Sequence, residues 1–341
     1  MFSKYLKIIV TVVSIFIIGC SAPEKDSGEI IIDKSNQTME KLNILATTPM
    51  LAEYVRQVAN ENVDLNILMP YGVDPHSFEA SPQDIKKISD ADLVFYVGLK
   101  YESTGVVKLL ENSVSSENIL INLGSGINPI QFTKEGHDDH DDDGDHEEHN
   151  HGVYDPHFWF DPTRVALAVE IIKDELVKID SANQTSYESN AKNYFNTLKV
   201  LDENISTLIS TIPVENRQII TTHEALGYLE SKYDIEILTT LIPSLNSENG
   251  ITPKSLRSTI EQIEKHNIKV MFLEEETPSQ YNTTIKQETG IKLVTGLWVE
   301  TLIEGQTYVK WLEDNVNIIV DNLPKEAHDD HDDDDHDDDK E

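Results

Sequence analysis

From Leu42 onward, short apolar runs of strand character alternate with amphipathic helical runs. The strand-like segments LNILATT, VDLNILMP and DLVFYVG are each followed by a helical pattern, the first of them by PMLAEYVRQVAN. Apolar strands that alternate with helices are typical of a mostly parallel sheet covered on both faces. The alternation therefore predicts an α/β fold.

A long helical region divides this alternation into two parts. Residues 163–180 predict one helix, and residues 183–211 predict a second, in which Tyr194, Leu198 and Leu201 follow three- and four-residue steps. Strand–helix alternation resumes after residue 216. We therefore predict two α/β lobes with mostly parallel sheets, joined by a single long rigid helix. The predicted boundaries are 42–182 for the N-terminal lobe, 183–211 for the linker helix and 212–324 for the C-terminal lobe.

The N-terminus has the pattern of a bacterial lipoprotein signal. Two early lysines precede a short apolar run that ends at Gly19-Cys20, and the run is too short for the roughly 20 residues that span a bilayer. Ile17 to Cys20 resembles a lipobox, and Cys20 is the only cysteine of the chain. We predict a signal peptide over 1–19, lipidation of Cys20 and a flexible tether over 20–41; an ordinary signal peptide is the alternative.

Acidic residues are concentrated in two low-complexity tracts that also contain histidine. The first, HDDHDDDGDHEEHNH, covers 137–151, and the second is the tail 325–341. Together they carry about half of the formal net charge of −35. Nucleic acid is excluded as a partner, because phosphate binding requires positive charge, whereas cations are the natural counterpart.

Four residues outside these tracts lie at strand exits or in tight turns. His76 and His157 each end an Asp-Pro-His tripeptide, His223 ends the strand-like run RQIITTH, and Glu300 follows the last strand-like run. Open α/β sheets bind ligands beyond the carboxyl ends of their strands, so these four predict a metal site at the strand ends. Histidine at a strand end can also be a hydrogen-bonded structural group, which is the alternative for each. His266 lies in a helical pattern and is therefore not predicted to be a metal ligand.

Three imidazoles and a carboxylate suit Zn²⁺ in a four-coordinate site, whereas manganese favours more oxygen ligands. The five histidines of the first tract could bind metal weakly in addition: His137, His140, His146, His149 and His151.

The segments PYGVDPHSFEASPQDIKKISDADLVFYVG, YDPHFWFDP, TTHEALGYL and LWVETL resemble the zinc and manganese solute-binding lipoproteins of ABC-type metal importers. The resemblance extends from about Leu42 to Leu323. It implies a monomeric receptor outside the cytoplasm that is anchored by lipid and delivers metal to a permease and its ATPase. It also implies that the metal lies in the interlobe cleft and is held by His76, His157 and His223.

Two features favour the zinc branch of this family. Manganese binders tend to have Glu where this chain has His223, and a His-rich acidic loop before the second ligand is typical of zinc binders. The fourth ligand of the family is usually Asp, whereas this chain has Glu300. Glu274 matches a family residue that we interpret as structural, and Glu275 and Glu276 have no predicted role.

Three alternatives remain at this stage. A manganese receptor of the same family would share the fold, and a surface metal buffer or adhesin would share the acidic tracts. A zinc hydrolase would need an open coordination position and a general base, and the chain has no HExxH motif. The acidic tail could also serve only to increase solubility.

Overall fold

The computed structural model describes residues 41–132, 153–276 and 282–325, all of which belong to one compact unit. The predicted signal peptide with Cys20, almost all of the tether, the tract 137–151 with its five histidines and nearly all of the tail lie outside the described residues. The division of the chain into two lobes at these boundaries remains a prediction.

The strands within this part of the chain are β1 (Leu42–Ala46), β2 (Val63–Ile67), β3 (Leu93–Tyr96), β4 (Leu120–Asn122), β5 (Gln218–His223), β6 (Glu236–Ile242), β7 (Val270–Glu274) and β8 (Lys292–Leu297). The helices there are α1 (Pro49–Ala59), α2 (Pro82–Ser89), α3 (Thr104–Ser113), α4 (Pro162–Ile179), α5 (Gln184–Ile209), α6 (Gly227–Tyr233), α7 (Pro253–Lys265), α8 (Asn282–Thr289) and α9 (Tyr308–Asn322). These elements follow the predicted alternation in order and type.

The first half of the fold is a four-stranded parallel sheet in the order β2-β1-β3-β4. Side chains cap the helices that connect its strands. Thr48 accepts a hydrogen bond from the backbone of α1, and Ser81 forms a capping box with Asp84 in α2. Pro49 and Pro82 occupy the first helical position, where no backbone donor is needed.

The second half contains two parallel strand pairs, β5-β6 and β7-β8. Strand β5 lies beside β7, and a hydrogen bond joins His223 at the end of β5 to Glu274 at the end of β7. The carboxyl ends of the two strand pairs therefore lie on the same side of this half. Because all pairings between these named strands are parallel, the predicted α/β class is confirmed.

Helix α5 is the long helix predicted from the sequence. It has 26 residues, so its axis is about 39 Å long at the usual rise per residue. It packs against α4, against α1 of the first half and against α9 of the second. The prediction extended one residue too far at the start and two at the end, because Asn183 belongs to a 3-10 turn and Ser210 caps the helix.

One apolar cluster connects the two halves. It contains Ile44 of β1, Leu198 of α5 and Trp311 of α9, each at most 1% exposed. Two smaller clusters lie within single halves, around Val94 and around Met271. The shared cluster fixes the position of each sheet relative to the other. Among the helices of the described residues, none is both long and apolar enough to cross a bilayer.

Candidate metal centre

The four residues predicted from strand exits and turns lie together in the structure. One donor atom each from His76, His157, His223 and Glu300 lies within 4.8 Å of the others, and each residue is at most 1% exposed. His266 is exposed at the end of α7 and is not a member of this group. His76 and Glu300, which are 224 positions apart in the chain, are thus brought to one point by the two halves of the fold.

The two Asp-Pro-His turns share one hydrogen bond between the aspartate and the backbone of the histidine. Asp74 Oδ1 accepts a hydrogen bond from the backbone N–H of His76 at 2.9 Å, and Asp155 Oδ1 accepts one from His157 at 2.9 Å. Such a bond two residues along the chain stabilises a tight turn. In each turn the aspartate and the proline fix the backbone of the histidine that follows.

The two turns differ in how the imidazole is held. Asp155 Oδ1 also lies 2.8 Å from Nδ1 of His157. Nδ1 of His76 instead faces the carbonyl oxygen of Tyr101 at 3.1 Å. The second oxygen of Asp74 instead accepts a hydrogen bond from Ser247 Oγ at 2.6 Å. The same tripeptide therefore orients its histidine through two different partners.

His223 is the last residue of β5 and is held by the neighbouring strand. The carboxylate of Glu274, at the end of β7, accepts the backbone N–H of His223 at 3.0 Å and contacts its Nδ1 at 2.5 Å. The structural role inferred for Glu274 from the family resemblance is thus orientation of an imidazole. A carboxylate behind a histidine fixes the ring and makes the other nitrogen a better ligand.

Glu300 follows β8 in a segment fixed by long-range hydrogen bonds. Glu276 Oε1 accepts the backbone N–H groups of Val299 and Glu300, both at 3.0 Å. Trp159 Nε1 donates to the carbonyl of Val299 at 2.7 Å. The hydroxyl of Tyr101 donates to the carbonyl of Glu300 at 3.0 Å. The carboxylate of Glu300 is therefore attached to a backbone that has little freedom to move.

Each imidazole has an acceptor at Nδ1, so its Nε2 faces the centre. Glu300 Oε1 lies 3.4 Å from Nε2 of His76, 3.1 Å from that of His157 and 2.7 Å from that of His223. Nε2 of His76 and the second oxygen of Glu300 form no hydrogen bond within the described residues. Buried polar atoms without partners are rare in proteins, so these donors fit a cation at the centre.

The electrostatics of the group follow from this geometry. Burial would lower the pKa of His157, but Glu300 and Asp155 raise it to about 9. Burial also opposes the charge on His223, but Glu274 and Glu300 raise its pKa well above the usual value. Burial would raise the pKa of Glu300, whereas the three histidines hold it well below the usual value. The site can therefore exchange protons for a cation.

Two residues near the centre were not found by reasoning from the sequence. Tyr101 contacts both His76 and Glu300, and Glu276 holds the backbone of Glu300. Burial is the main cause that raises the pKa of Glu276 to about 8. Glu276 is the last of three consecutive glutamates, and nothing in the sequence indicates which of them contacts the Glu300 segment. The interactions of Tyr101 depend on tertiary contacts that a local sequence pattern does not show.

Comparison with known proteins places this arrangement in a family. The family model described as "ZnuA: Zinc-uptake complex component A periplasmic" matches residues 44–322. This protein belongs to the ZnuA family. Membership agrees with the sequence resemblance and makes the chain an extracytoplasmic metal-binding receptor of an ABC-type importer, not an enzyme.

Individual relatives of this ZnuA-family protein are distant but match along most of their length. The Streptococcus anginosus "Manganese ABC transporter substrate-binding lipoprotein PsaA" is 26% identical over 319 residues, which are 91% of this chain and 96% of the relative. The Lactococcus lactis "Metal ABC transporter substrate-binding lipoprotein" is 27% identical over 337 residues, 95% of this chain and 100% of the relative.

A solved structure shares the fold of this ZnuA-family protein. The periplasmic zinc-binding protein TroA from Treponema pallidum aligns with a TM-score of 0.73 over 82% of this chain and 98% of its own, at 21% identity. At this identity the likeness shows a common fold. The two-lobed α/β architecture expected from the sequence is thereby supported.

Proposed function

We propose that this protein captures Zn²⁺ outside the cytoplasm and delivers it to the permease and ATPase of an ABC importer. The ion is held by Nε2 of His76, His157 and His223 and by the carboxylate of Glu300. The observation that carries the proposal is the convergence of these four buried donors, three of them imidazoles with an acceptor behind Nδ1.

The donor set favours zinc over manganese. Three nitrogens and one carboxylate are a typical tetrahedral zinc environment, whereas manganese prefers a site richer in oxygen. His223 supports this choice, because the manganese branch of the family tends to have Glu at that position. The curated relatives above include one named for manganese, so the choice of metal has to be measured on this chain.

The acidic tract 137–151 supports a role in collecting zinc. Its flanks lie together in the structure, where Gln131 and Tyr154 form an isolated antiparallel bridge and Phe132 N–H donates to Val153 O at 2.8 Å. The described chain stops at Phe132 and resumes at Val153, two residues before Asp155, so the tract is inserted in sequence close to the Asp155 turn. We propose that its histidines, including His137 and His151, bind zinc weakly and raise its concentration beside the centre.

The same tracts favour one competing function, a surface metal buffer. A buffer would bind many ions with similar weak affinity, whereas an importer receptor has one tight site. Calorimetric titration of the mature chain and of a variant lacking 137–151 separates the two functions. We expect one tight zinc per molecule in both proteins and fewer weak zinc ions in the variant.

The choice of metal is tested in the same calorimeter. Zinc is expected to displace bound manganese from the tight site, and manganese is not expected to displace zinc. Tight binding of manganese in preference to zinc would overturn the zinc proposal while leaving the receptor function in place. Loss of the tight site on deletion of the tract would show that the loop itself supplies a ligand.

Attachment to the membrane is proposed to depend on the lipid at Cys20. A single acyl chain holds a protein weakly, so two or more chains are expected on this cysteine. The tether over 20–41 would then allow the receptor to reach the permease.

A further inference from the structure

The loop between β3 and α3 has an unusual backbone. Gly98, Leu99 and Lys100 all have positive φ, at 75°, 55° and 66°. Leucine and lysine rarely adopt this left-handed conformation, because Cβ then lies too close to the following carbonyl oxygen. Conformations of this kind persist where the surrounding structure fixes them, and they occur often at functional sites.

A buried carboxylate fixes the start of this loop. Glu102 is 3% exposed, and its Oε1 accepts hydrogen bonds from Val97 N and Thr47 Oγ1, both at 2.7 Å. Its Oε2 accepts the N–H of Gly98 at 2.9 Å. A Cβ at Gly98 would lie 2.3 Å from Asn122 Oδ1, so a larger residue at this positive φ would have to displace the Asn122 side chain. The loop is thus held in one conformation from both sides.

The residue that the strained loop presents is Tyr101, which is 1% exposed. Its carbonyl oxygen lies 3.1 Å from Nδ1 of His76, and its hydroxyl donates to the carbonyl of Glu300 at 3.0 Å. Its ring packs edge-on to His76, with the ring centroids 5.1 Å apart. One residue therefore contacts a proposed ligand from the first half of the fold and another from the second.

We propose that Tyr101 is a positioning residue that joins His76 to the Glu300 segment and slows the release of the bound ion. The proposal rests on the function proposed above. The hydroxyl bond can form only while the segment after β8 lies against the β3–α3 loop. Separation of the two ligands must break this bond, so its presence adds to the barrier for release. The carbonyl orients His76 whether or not the hydroxyl is present.

Substitution Tyr101→Phe tests the hydroxyl alone, since the ring and the carbonyl remain. The matched control is Tyr187→Phe: Tyr187 is fully buried, and its hydroxyl donates to Asp180 at 2.6 Å, far along the chain from the four donors. The control loses a bond to a carboxylate, so its loss of stability should be at least as large. Both variants are made in the full mature chain.

The measurement is the rate at which zinc leaves the tight site, followed by transfer to a fluorescent chelator. Ions from the acidic tracts leave in an earlier, faster phase. One hydrogen bond corresponds to a change of roughly 2- to 10-fold, so Tyr101→Phe should release zinc faster by about that factor. Tyr187→Phe should release it at the wild-type rate. The melting temperature without metal should fall no more in Tyr101→Phe than in the control.

Cobalt(II) provides a second measurement, because its visible absorption depends on coordination geometry. The cobalt spectrum should change in Tyr101→Phe and stay the same in Tyr187→Phe. Unchanged zinc release and an unchanged spectrum in Tyr101→Phe would overturn the inference and leave the receptor function intact. Absence of a tight zinc in the wild-type chain would instead show that the proposed function is wrong.

Discussion

Glu300 differs from the aspartate usual in the family by one methylene, and its surroundings explain how the longer side chain fits. Its backbone N–H is bound by Glu276, and its carbonyl accepts the hydroxyl of Tyr101. Oε1 reaches a point between 2.7 and 3.4 Å from three imidazole nitrogens. Because these hydrogen bonds fix the backbone of Glu300, the backbone cannot move toward the centre to compensate for a shorter side chain.

We therefore expect Glu300→Ala to weaken zinc binding by at least about 10- to 100-fold, the loss typical when even an outer-shell partner is removed. Glu300→Asp should bind more weakly than wild type and more tightly than Glu300→Ala, because aspartate keeps the charge but not the reach. Glu304→Ala is the control, since it removes an exposed acid from the same segment. Calorimetry on protein lacking 137–151 measures all three affinities.

Wild-type affinity in Glu300→Ala would show that Glu300 is not a ligand. Wild-type affinity in Glu300→Asp would show instead that the segment after β8 can move toward the ion, and that the hydrogen bonds of Glu276 and Tyr101 do not hold it rigidly.

At the level of elements, a side-chain hydrogen bond joins the loop after β2 to the turn after β6. Asp74 Oδ2 accepts a hydrogen bond from Ser247 Oγ at 2.6 Å, while Asp74 Oδ1 holds the backbone of His76. Asp74 thus connects a proposed ligand in the first half of the fold to the second half. Ser247 is 8% exposed, so water competes little for its hydroxyl.

Loss of this contact should weaken metal binding without removing a ligand. We expect Ser247→Ala to raise the zinc dissociation constant about 3- to 10-fold, within the range of about 0.5–1.5 kcal/mol for one typical hydrogen bond. Ser77→Ala is the matched control, because Ser77 donates to the carbonyl of Asp74 within the same loop. Equal effects of the two substitutions on zinc affinity would contradict a role for the contact between the halves.

Comparison of the two Asp-Pro-His turns shows what the sequence can and cannot predict. Strand and helix periodicity is local, so it placed the strands and helices. The four residues that converge were selected by the strand-exit rule, by the Asp-Pro-His turns and by the family resemblance. The partners of each imidazole are not local. Asp155 contacts the ring of His157, but Tyr101 takes that place for His76. Identical tripeptides could not reveal this difference, because it depends on which loop packs behind each turn.

Across the whole molecule, one apolar cluster extends through both halves of the fold. It joins β1, α5 and α9, with Ile44, Leu198 and Trp311 among its members. Halves that share a core are expected to unfold together, and the proposed ligands come from both of them. A bound ion should therefore stabilise the entire unit rather than one half.

A ligand that binds only the folded state at 100 times its dissociation constant adds about 2.7 kcal/mol to the free energy of unfolding. For domains approaching this size, each kcal/mol raises the melting temperature by roughly 2–4 °C. We expect zinc to raise the melting temperature of the mature chain by roughly 5 °C or more in a single calorimetric transition. Deletion of 137–151 should leave this shift unchanged, and His157→Ala should greatly reduce it. Two calorimetric transitions, only one of which is shifted by zinc, would contradict the shared core. A shift of the melting temperature in His157→Ala as large as in the wild-type chain would show that the stabilising ion binds elsewhere.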